Sequence, residues 1–247
     1  MKKILIIIAS LILSFQLQSQ TVRIAAAGNL RYLLDDIKAL YAAKNPKVKI
    51  DISLGASGAL TQQITNGAGY DLFMAADKVY PDKLKDMGYT SGEVKTYAFG
   101  KLVLWSNMVD VSQGIEIITN KSVTHIAIAK PDVAPYGARA IECLKYYKLL
   151  DKVQDKIVYA DNIAQAAQFA QSGNAEIGFL ALALALSPEM KNNGKYIELD
   201  PKSYKPVEQA MVLIKGWERN PEAKKFMVFV LSNECKPVFE KYGFIVP

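Results

Sequence analysis

The sequence predicts an α/β protein made of two Rossmann-like lobes. Short apolar runs of strand length alternate with longer segments of helical periodicity, which is typical of repeated parallel βα units. The chain has 247 residues, whereas one domain usually holds roughly 100 to 200. Hydrophobic residues make up 51% of the composition, so the apolar content is large enough for two separate cores.

Eight segments are predicted as strands because they are short, apolar and bounded by turn-forming residues. In chain order the predicted strands are residues 22–27, 48–54, 71–75, 97–105, 125–129, 157–160, 177–182 and 210–214. Six longer segments repeat apolar residues three and four positions apart and are predicted as helices. In chain order the predicted helices are residues 30–43, 58–66, 80–87, 136–150, 162–171 and 222–231.

Two strand-like segments, residues 97–105 and 207–214, flank a central block of the chain. Each can carry the chain between lobes, so the central block is predicted to be a lobe inserted into the first one. The expected boundaries are lobe 1 at residues 21–98 plus 207–247 and lobe 2 at residues 99–206. Gly100 and Pro206 lie where a two-strand hinge would absorb closure of the lobes.

The N-terminus has the pattern of a secretory signal peptide. Lys2 and Lys3 precede an apolar run over residues 4–15, and a polar stretch follows. The run is shorter than the roughly 20 residues that span a membrane, which argues against the alternative of an uncleaved anchor. We therefore expect residues 1–20 to be removed and the remaining chain to be exported to the periplasm.

Charge and cysteine content indicate neither a nucleic-acid interface nor a disulfide framework. Without Lys2 and Lys3 the 30 basic residues fall to 28 against 24 acidic ones, and the lysines are scattered along the chain. A monomer without a nucleic-acid partner is expected. Cys143 and Cys235 belong to different predicted lobes, which favours two buried free thiols over the alternative of a bridge.

Four turns rich in small or polar residues each follow a predicted strand and precede a predicted helix. They are AAAGNL (residues 25–30), LGASGAL (54–60), DVAPYGA (132–138) and ADNIAQA (160–166). In open α/β sheets, ligands lie beyond the carboxyl ends of the strands, where such turns are located. Helix N-termini expose unpaired N–H groups and a partial positive charge, so two turns from each lobe would form an anion site in the cleft between the lobes.

The residue types at these turns indicate a site built from neutral donors. Asn29 and Ser57 offer side-chain donors, and Gly28 allows a close approach of the backbone. Tyr136 and Ile163 each lie in the first turn of a predicted helix and would contribute backbone N–H groups. Any one of these turns is more often a plain helix cap, as at Asn29 or Asp161, so the prediction depends on all four occurring together.

At these residues the sequence resembles the periplasmic molybdate-binding proteins of ABC transporters, which have the type II periplasmic-binding-protein fold. The longest similar block is GASGALTQQITNGAGYDLFMAAD, residues 55–77. Shorter similar segments occur in the same order as in the family: AAAGNL, APYGARA (134–140), DNIAQAAQFAQSGNAEIGF (161–179) and YGF (242–244). The resemblance extends over nearly all of the chain after the signal peptide.

The resemblance implies that molybdate or tungstate binds in the cleft and is delivered to a membrane permease with its ATPase. The implied oxyanion contacts are Gly28 or Asn29, Ser57, Tyr136 and Ile163, with no cation site, no cofactor and no catalysis. Two positions depart from the family. Gly28 replaces a hydroxyl residue of many members, so Asn29 is expected to donate instead. Ala181 replaces a ligand tyrosine of one branch.

Two alternatives remain open from the sequence. The nearer one is a binding protein for another anion, such as sulfate, phosphate or an organic anion. The other is a serine hydrolase using Ser57, but GASGA lacks the second glycine of G-x-S-x-G, and His125 is the only histidine. His125 is expected at a surface or strand edge, and Asp71 and Asp77 are expected to be caps or acceptors at the lobe interface.

Overall fold

The structure is a computed structural model that describes residues 20–247. Ten strands form two five-stranded sheets: β1 Gln20–Ala27, β2 Val48–Gly55, β3 Leu72–Ala75, β4 Thr90–Gly100, β5 Leu102–Ser106, β6 Ile126–Ala129, β7 Ile157–Ala160, β8 Ile177–Ala181, β9 Lys195–Glu198 and β10 Val207–Ile214. Apart from Gln20, where β1 begins, the predicted signal peptide lies outside the described residues.

Nine α-helices pack with the sheets: α1 Arg31–Lys44, α2 Ser57–Thr65, α3 Val79–Asp86, α4 Pro135–Tyr146, α5 Leu150–Val153, α6 Ile163–Gln171, α7 Leu182–Ala185, α8 Glu222–Val230 and α9 Lys236–Lys241, within residues 20–247. Across that same range, none of the helices has both the length and the apolar character needed to cross a membrane.

The two sheets have closely related topologies. The first has the strand order β2-β1-β3-β10-β4, in which β1 pairs in parallel with β2 and β3, and β10 runs antiparallel to its neighbours. The second has the order β7-β6-β8-β5-β9, in which β6 pairs in parallel with β7 and β8, and β5 is antiparallel to its neighbours. Each lobe is thus a parallel βα unit joined to an antiparallel strand.

The chain passes between the sheets twice. It leaves the first sheet after Gly100, passes through Lys101 and enters the second sheet at Leu102. It returns between β9 and β10, where Pro206 directly precedes Val207. The prediction of one strand over residues 97–105 is therefore wrong, because this apolar run is shared by two strands in different sheets.

Further differences are one predicted helix that ends early and elements that were not predicted, including β9. The helix expected over residues 136–150 ends at Tyr146, and the chain then turns at Lys148, which has a φ of 56°. The strand β9 was not predicted, because its residues are mostly exposed at a sheet edge and carry no apolar alternation. The strand predicted over residues 157–160 is present with the same bounds as β7, and the remaining predicted strands and helices are present with one or both ends shifted.

Each sheet has its own hydrophobic core. The first core includes Ile24, Leu34 and Phe226, and the second includes Trp105 and Phe179, all of them fully buried. The two cysteines are buried free thiols, Cys143 in the second core and Cys235 in the first. The expectation of two unbridged cysteines is confirmed.

Candidate functional site

The four turns singled out in the sequence meet around one small cavity. The cavity is lined by Ala27, Gly28, Asn29, Gly55, Ala56, Ser57, Ala76, Ala134, Pro135, Tyr136 and Ile163. All five residues expected at the site are therefore brought together, three from the first lobe and two from the second. Their contact with a ligand stays a prediction.

Three helices begin at the cavity. Ser57 is the first residue of α2, Tyr136 the second residue of α4 after Pro135, and Ile163 the first residue of α6. Within residues 20–247 the backbone N–H groups of these three residues have no hydrogen-bond partner. Because first-turn N–H groups carry the positive end of the helix dipole, the cavity is suited to an anion.

The Ser57 hydroxyl is oriented by its neighbours. Its side chain is fully buried, and its Oγ accepts a hydrogen bond of 3.0 Å from the backbone N–H of Ala76. A hydroxyl has one proton to donate, and accepting from Ala76 leaves that proton available. Ser57 thus combines a backbone and a side-chain donor at the start of one helix.

At the start of α6, an N-cap separates the N–H groups into two sets. Asn162 Oδ1 accepts from the backbone N–H of Ala164 at 2.9 Å and of Gln165 at 3.1 Å, while the N–H of Ile163 is left free. Asp161, named in the sequence as a possible cap, instead pairs with Lys130 at 2.6 Å. The Ile163 side chain is buried and fills space beside the cavity, as expected.

The glycine at position 28 is explained by a close approach of the two lobes. A Cβ there would lie 3.3 Å from both the Cβ of Ala164 and the Oδ1 of Asn162. A larger side chain would press on the start of α6, which accounts for a glycine at this position.

Asn29 makes a contact that the sequence did not predict. Its Nδ2 donates to the Oε1 of Gln209 at 2.9 Å, and its own Oδ1 is buried without a partner in the described structure. Gln209 lies on β10, is fully buried and donates through Nε2 to the Tyr136 hydroxyl at 3.1 Å. A glutamine directly before the apolar run AMVLI of strand VEQAMVLI was the available signal for this residue.

The cavity lining contains no charged side chain among the described residues. The nearest buried charges form an ion pair across the cleft between Asp77, which follows β3, and Arg139 on α4, whose side chains are 14% and 11% exposed. Asp77 also accepts from the backbone N–H of Val79 at 3.0 Å, so its expected role as cap and interface acceptor is confirmed. Asp71 instead accepts from the backbone N–H of Arg23 at 2.8 Å, within the first lobe.

Three further contacts join the lobes around the cavity. The backbone N–H of Gly58 donates to the carbonyl of Val133 at 2.8 Å, next to the Tyr80 hydroxyl, which lies 3.4 Å from the Asp132 carbonyl. At the other end of the cleft, the Tyr32 hydroxyl donates to Glu189 at 2.5 Å. These contacts connect the two lobes across the cleft.

The hydrolase alternative finds no support in the geometry. His125 is exposed just before β6, where its Nδ1 lies 3.0 Å from Thr124 Oγ1 and 3.8 Å from Glu176, and it does not contact Ser57. Its expected place at a surface or strand edge is confirmed. Among residues 20–247, no group of three or more His, Cys, Asp or Glu side chains is arranged to hold a metal ion.

The sequence profile described as "Bacterial extracellular solute-binding protein" matches residues 22–245. The chain belongs to this family. Its relatives include the molybdate-binding protein ModA of Azotobacter vinelandii, 33% identical over 99% of this chain and 97% of the relative. ModA of Rhodobacter capsulatus is 34% identical over 90% of this chain and 86% of the relative.

Solved structures of solute-binding proteins show the same fold. The periplasmic molybdate-binding protein of Azotobacter vinelandii superimposes with a TM-score of 0.85 at 33% identity, covering 92% of this chain and 99% of that one. The substrate-binding domain of a putative molybdenum ABC transporter from Clostridium difficile gives a TM-score of 0.67 at 30% identity, with coverage of 92% and 99%. The two mixed sheets form the type II periplasmic-binding-protein fold that the sequence predicted.

Proposed function

We propose that this protein captures molybdate or tungstate in the cavity between its lobes and delivers the oxyanion to the permease and ATPase of an ABC importer. The observation that carries this proposal is the convergence of free N–H groups from both lobes on one buried, uncharged cavity. The names of the relatives in Azotobacter vinelandii and Rhodobacter capsulatus support molybdate as the ligand.

Neutral donors are sufficient to hold a dianion when enough of them converge. A hydrogen bond to a charged partner contributes about 1.5–3 kcal/mol, and the helix N-termini add their dipoles. The donors expected are the N–H groups of Ser57, Tyr136 and Ile163, the Ser57 hydroxyl and Asn29. Because their backbones lie on packed helices, the donors form a rigid set, which can select among tetrahedral anions by size.

Thermal unfolding in the presence of four anions tests the proposal. A ligand that binds only the folded protein adds about 2.7 kcal/mol to the free energy of unfolding at one hundred times its Kd. Molybdate and tungstate are expected to raise the Tm at concentrations where sulfate and phosphate do not. Equal stabilisation by sulfate would contradict selection by size and would favour the wider class of anion-binding proteins.

The remaining aspects of the proposal concern the protein's setting. The chain acts after export to the periplasm, as a monomer, without a cofactor and without catalysing a reaction. Its lobes are residues 21–98 plus 207–247 and residues 99–206, and they close by bending near Gly100 and Pro206. N-terminal sequencing of the exported protein tests the removal of the signal peptide. Light scattering tests whether the protein is a monomer, and small-angle X-ray scattering with and without molybdate tests closure of the lobes.

A further inference from the structure

Four buried polar side chains form a continuous chain of contacts from the first lobe to the second. Gln209 on β10 is at its centre, 2.9 Å from Asn29, 3.0 Å from the Tyr97 hydroxyl and 3.1 Å from the Tyr136 hydroxyl. Asn29 and Tyr136 line the cavity, whereas Gln209 and Tyr97 lie behind it. A buried glutamine with three polar side chains within hydrogen-bond distance is positioned to control how those side chains point.

The number of protons on the two phenols limits which way the neighbouring amides can point. Burial raises the pKa of Tyr97 and of Tyr136 far above the usual range, so each phenol keeps its one proton. The Tyr97 hydroxyl lies 2.9 Å from the carbonyl oxygen of Ala75 and 3.0 Å from Gln209 Oε1, but its single proton can serve only one of them fully. If Tyr97 donates to the Ala75 carbonyl, which can only accept, the Gln209 group facing Tyr97 must be the donor Nε2.

Turning the Gln209 amide by 180° exchanges its Oε1 and Nε2, so donor and acceptor also exchange in its contacts with Asn29 and Tyr136. Gln209 Nε2 then donates both to Tyr97 and to Asn29, and its Oε1 accepts the proton of Tyr136. Asn29 must then accept this hydrogen bond with its Oδ1, so its amide also turns. Its Nδ2 moves to the place where Oδ1 is now buried without a partner. Every phenol proton has an acceptor in this arrangement, and the groups left over are two N–H bonds of Asn29.

We propose that Gln209 is a positioning residue that turns the Asn29 amide so that its Nδ2, and not its Oδ1, faces the bound oxyanion. This inference rests on the proposed function. It also makes Gln209 a determinant of specificity, because an oxygen at this place would accept a proton from hydrogen phosphate, whereas an N–H group requires an unprotonated oxygen. Through Tyr136, the same contacts connect the ligand-binding residues of the two lobes.

A double-mutant cycle with molybdate tests whether Gln209 acts through Asn29. Gln209→Met removes both amide groups at similar size, and Asn29→Ala removes the proposed donor. In calorimetry, Gln209→Met is expected to raise the Kd for molybdate about tenfold in the otherwise unchanged protein, as for loss of one hydrogen bond to a charged ligand. In the Asn29→Ala background the same change should alter the Kd less than about twofold. Glu208→Met, the neighbouring position of the same strand, is the matched control and should leave the Kd unchanged.

A second measurement follows Asn29 directly in protein that keeps Gln209. In protein labelled with ¹⁵N-asparagine, the side-chain amide signal of Asn29, assigned by its loss in Asn29→Ala, should shift when molybdate is added.

The selectivity of the site gives a third readout. Gln209→Met should reduce the ratio of the Kd for hydrogen phosphate to the Kd for molybdate. The inference would be overturned if Gln209→Met changed the Kd for molybdate equally in the unchanged protein and in Asn29→Ala. It would also be overturned if the Asn29 signal did not shift on addition of molybdate. If the unaltered protein fails to bind molybdate at all, the proposed function itself is wrong.

Discussion

Ser57 is the residue in which the sequence pattern and the geometry agree most closely. Its hydroxyl accepts from Ala76 and keeps its proton for the cavity. We expect Ser57→Ala to raise the Kd for molybdate about tenfold to hundredfold, since it removes one hydrogen bond to a charged ligand. It also leaves the Ala76 N–H buried and unpaired, which should lower the free energy of unfolding by about 1–3 kcal/mol.

A second buried serine separates these two effects. Ser106 Oγ accepts from the backbone N–H groups of Met108 and Val109 and donates to the carbonyl of Glu176, away from the cavity. Ser106→Ala should therefore lower stability in chemical denaturation without changing the Kd in calorimetry. If Ser57→Ala binds molybdate as tightly as Ser106→Ala does, Ser57 is not part of the site.

Gly100 is required by space. A Cβ at this position would lie 2.1 Å from the Tyr136 hydroxyl and 2.6 Å from Gln209 Nε2. Gly100→Ala is expected to displace both side chains, lower the free energy of unfolding by about 1–3 kcal/mol and weaken molybdate binding. Gly69→Ala is the control, because the atom nearest to its Cβ would be the Arg23 Nη1 at 3.8 Å. Equal melting temperatures and Kd values for the two variants would show that Gly100 serves only as a flexible link.

At this scale the sequence predicted which residues surround the cavity but not how they are connected. Asn29, Ser57, Tyr136 and Ile163 were found because helix starts after strands are recognisable from small and polar residues. Gln209 was not found, because its partners Asn29, Tyr97 and Tyr136 are between 73 and 180 positions away in the chain. Such contacts depend on how the sheets are assembled, which local patterns do not record.

The elements that were predicted wrongly share a physical cause. Residues 97–105 form one apolar run, yet the run is divided at Lys101 because β4 pairs with β10 and β5 pairs with β8 and β9. Pairing partners, not local propensity, determine where such a strand ends. The missed strand β9 pairs with β5 at the edge of the second sheet, and most of its side chains are exposed, as they are in a loop.

The ion pair between α4 and the segment after β3 joins the two lobes across the cleft. Arg139→Met leaves the Asp77 carboxylate largely buried without its partner. The resulting cost in free energy applies only when the two lobes are together, so it disfavours that state. We expect this change to raise the Kd for molybdate about tenfold, by making closure less favourable. Calorimetry measures the Kd, and small-angle X-ray scattering measures the closed fraction.

An exposed pair in the second lobe provides the control for this element. Lys130 and Asp161 are joined at 2.6 Å, but their side chains are 52% and 70% exposed. Exposed pairs contribute about 0–1 kcal/mol, so Lys130→Met should leave closure and Kd nearly unchanged. Should Arg139→Met and Lys130→Met have the same Kd, the pair with Asp77 does not contribute to closure.

For the whole molecule, the sequence predicted the two-lobed architecture because the βα alternation is repeated and each repeat carries its own apolar content. The type II fold was predicted from the ordered resemblance of motifs, since alternation alone does not specify two antiparallel strands in otherwise parallel sheets. The position of the cavity followed from a rule of open sheets, which places ligands beyond the carboxyl ends of strands.

The separate burial of the two cysteines allows the lobes to be followed independently. Burial raises the pKa of the Cys143 thiol and of the Cys235 thiol to about 11, so at pH 8 little thiolate is present and neither sulfur is accessible. In the native protein both thiols should react with iodoacetamide only through opening of their core, and far more slowly than in denaturant.

Molybdate is expected to slow the labelling of both cysteines, because a ligand held by both lobes stabilises the core that contains Cys143 and the core that contains Cys235. Mass spectrometry of the two cysteine peptides gives each rate in the same sample, and sulfate serves as the control anion. Protection of one cysteine alone would mean that only one lobe contributes binding energy, which contradicts a site shared between Ser57 on one side and Tyr136 on the other.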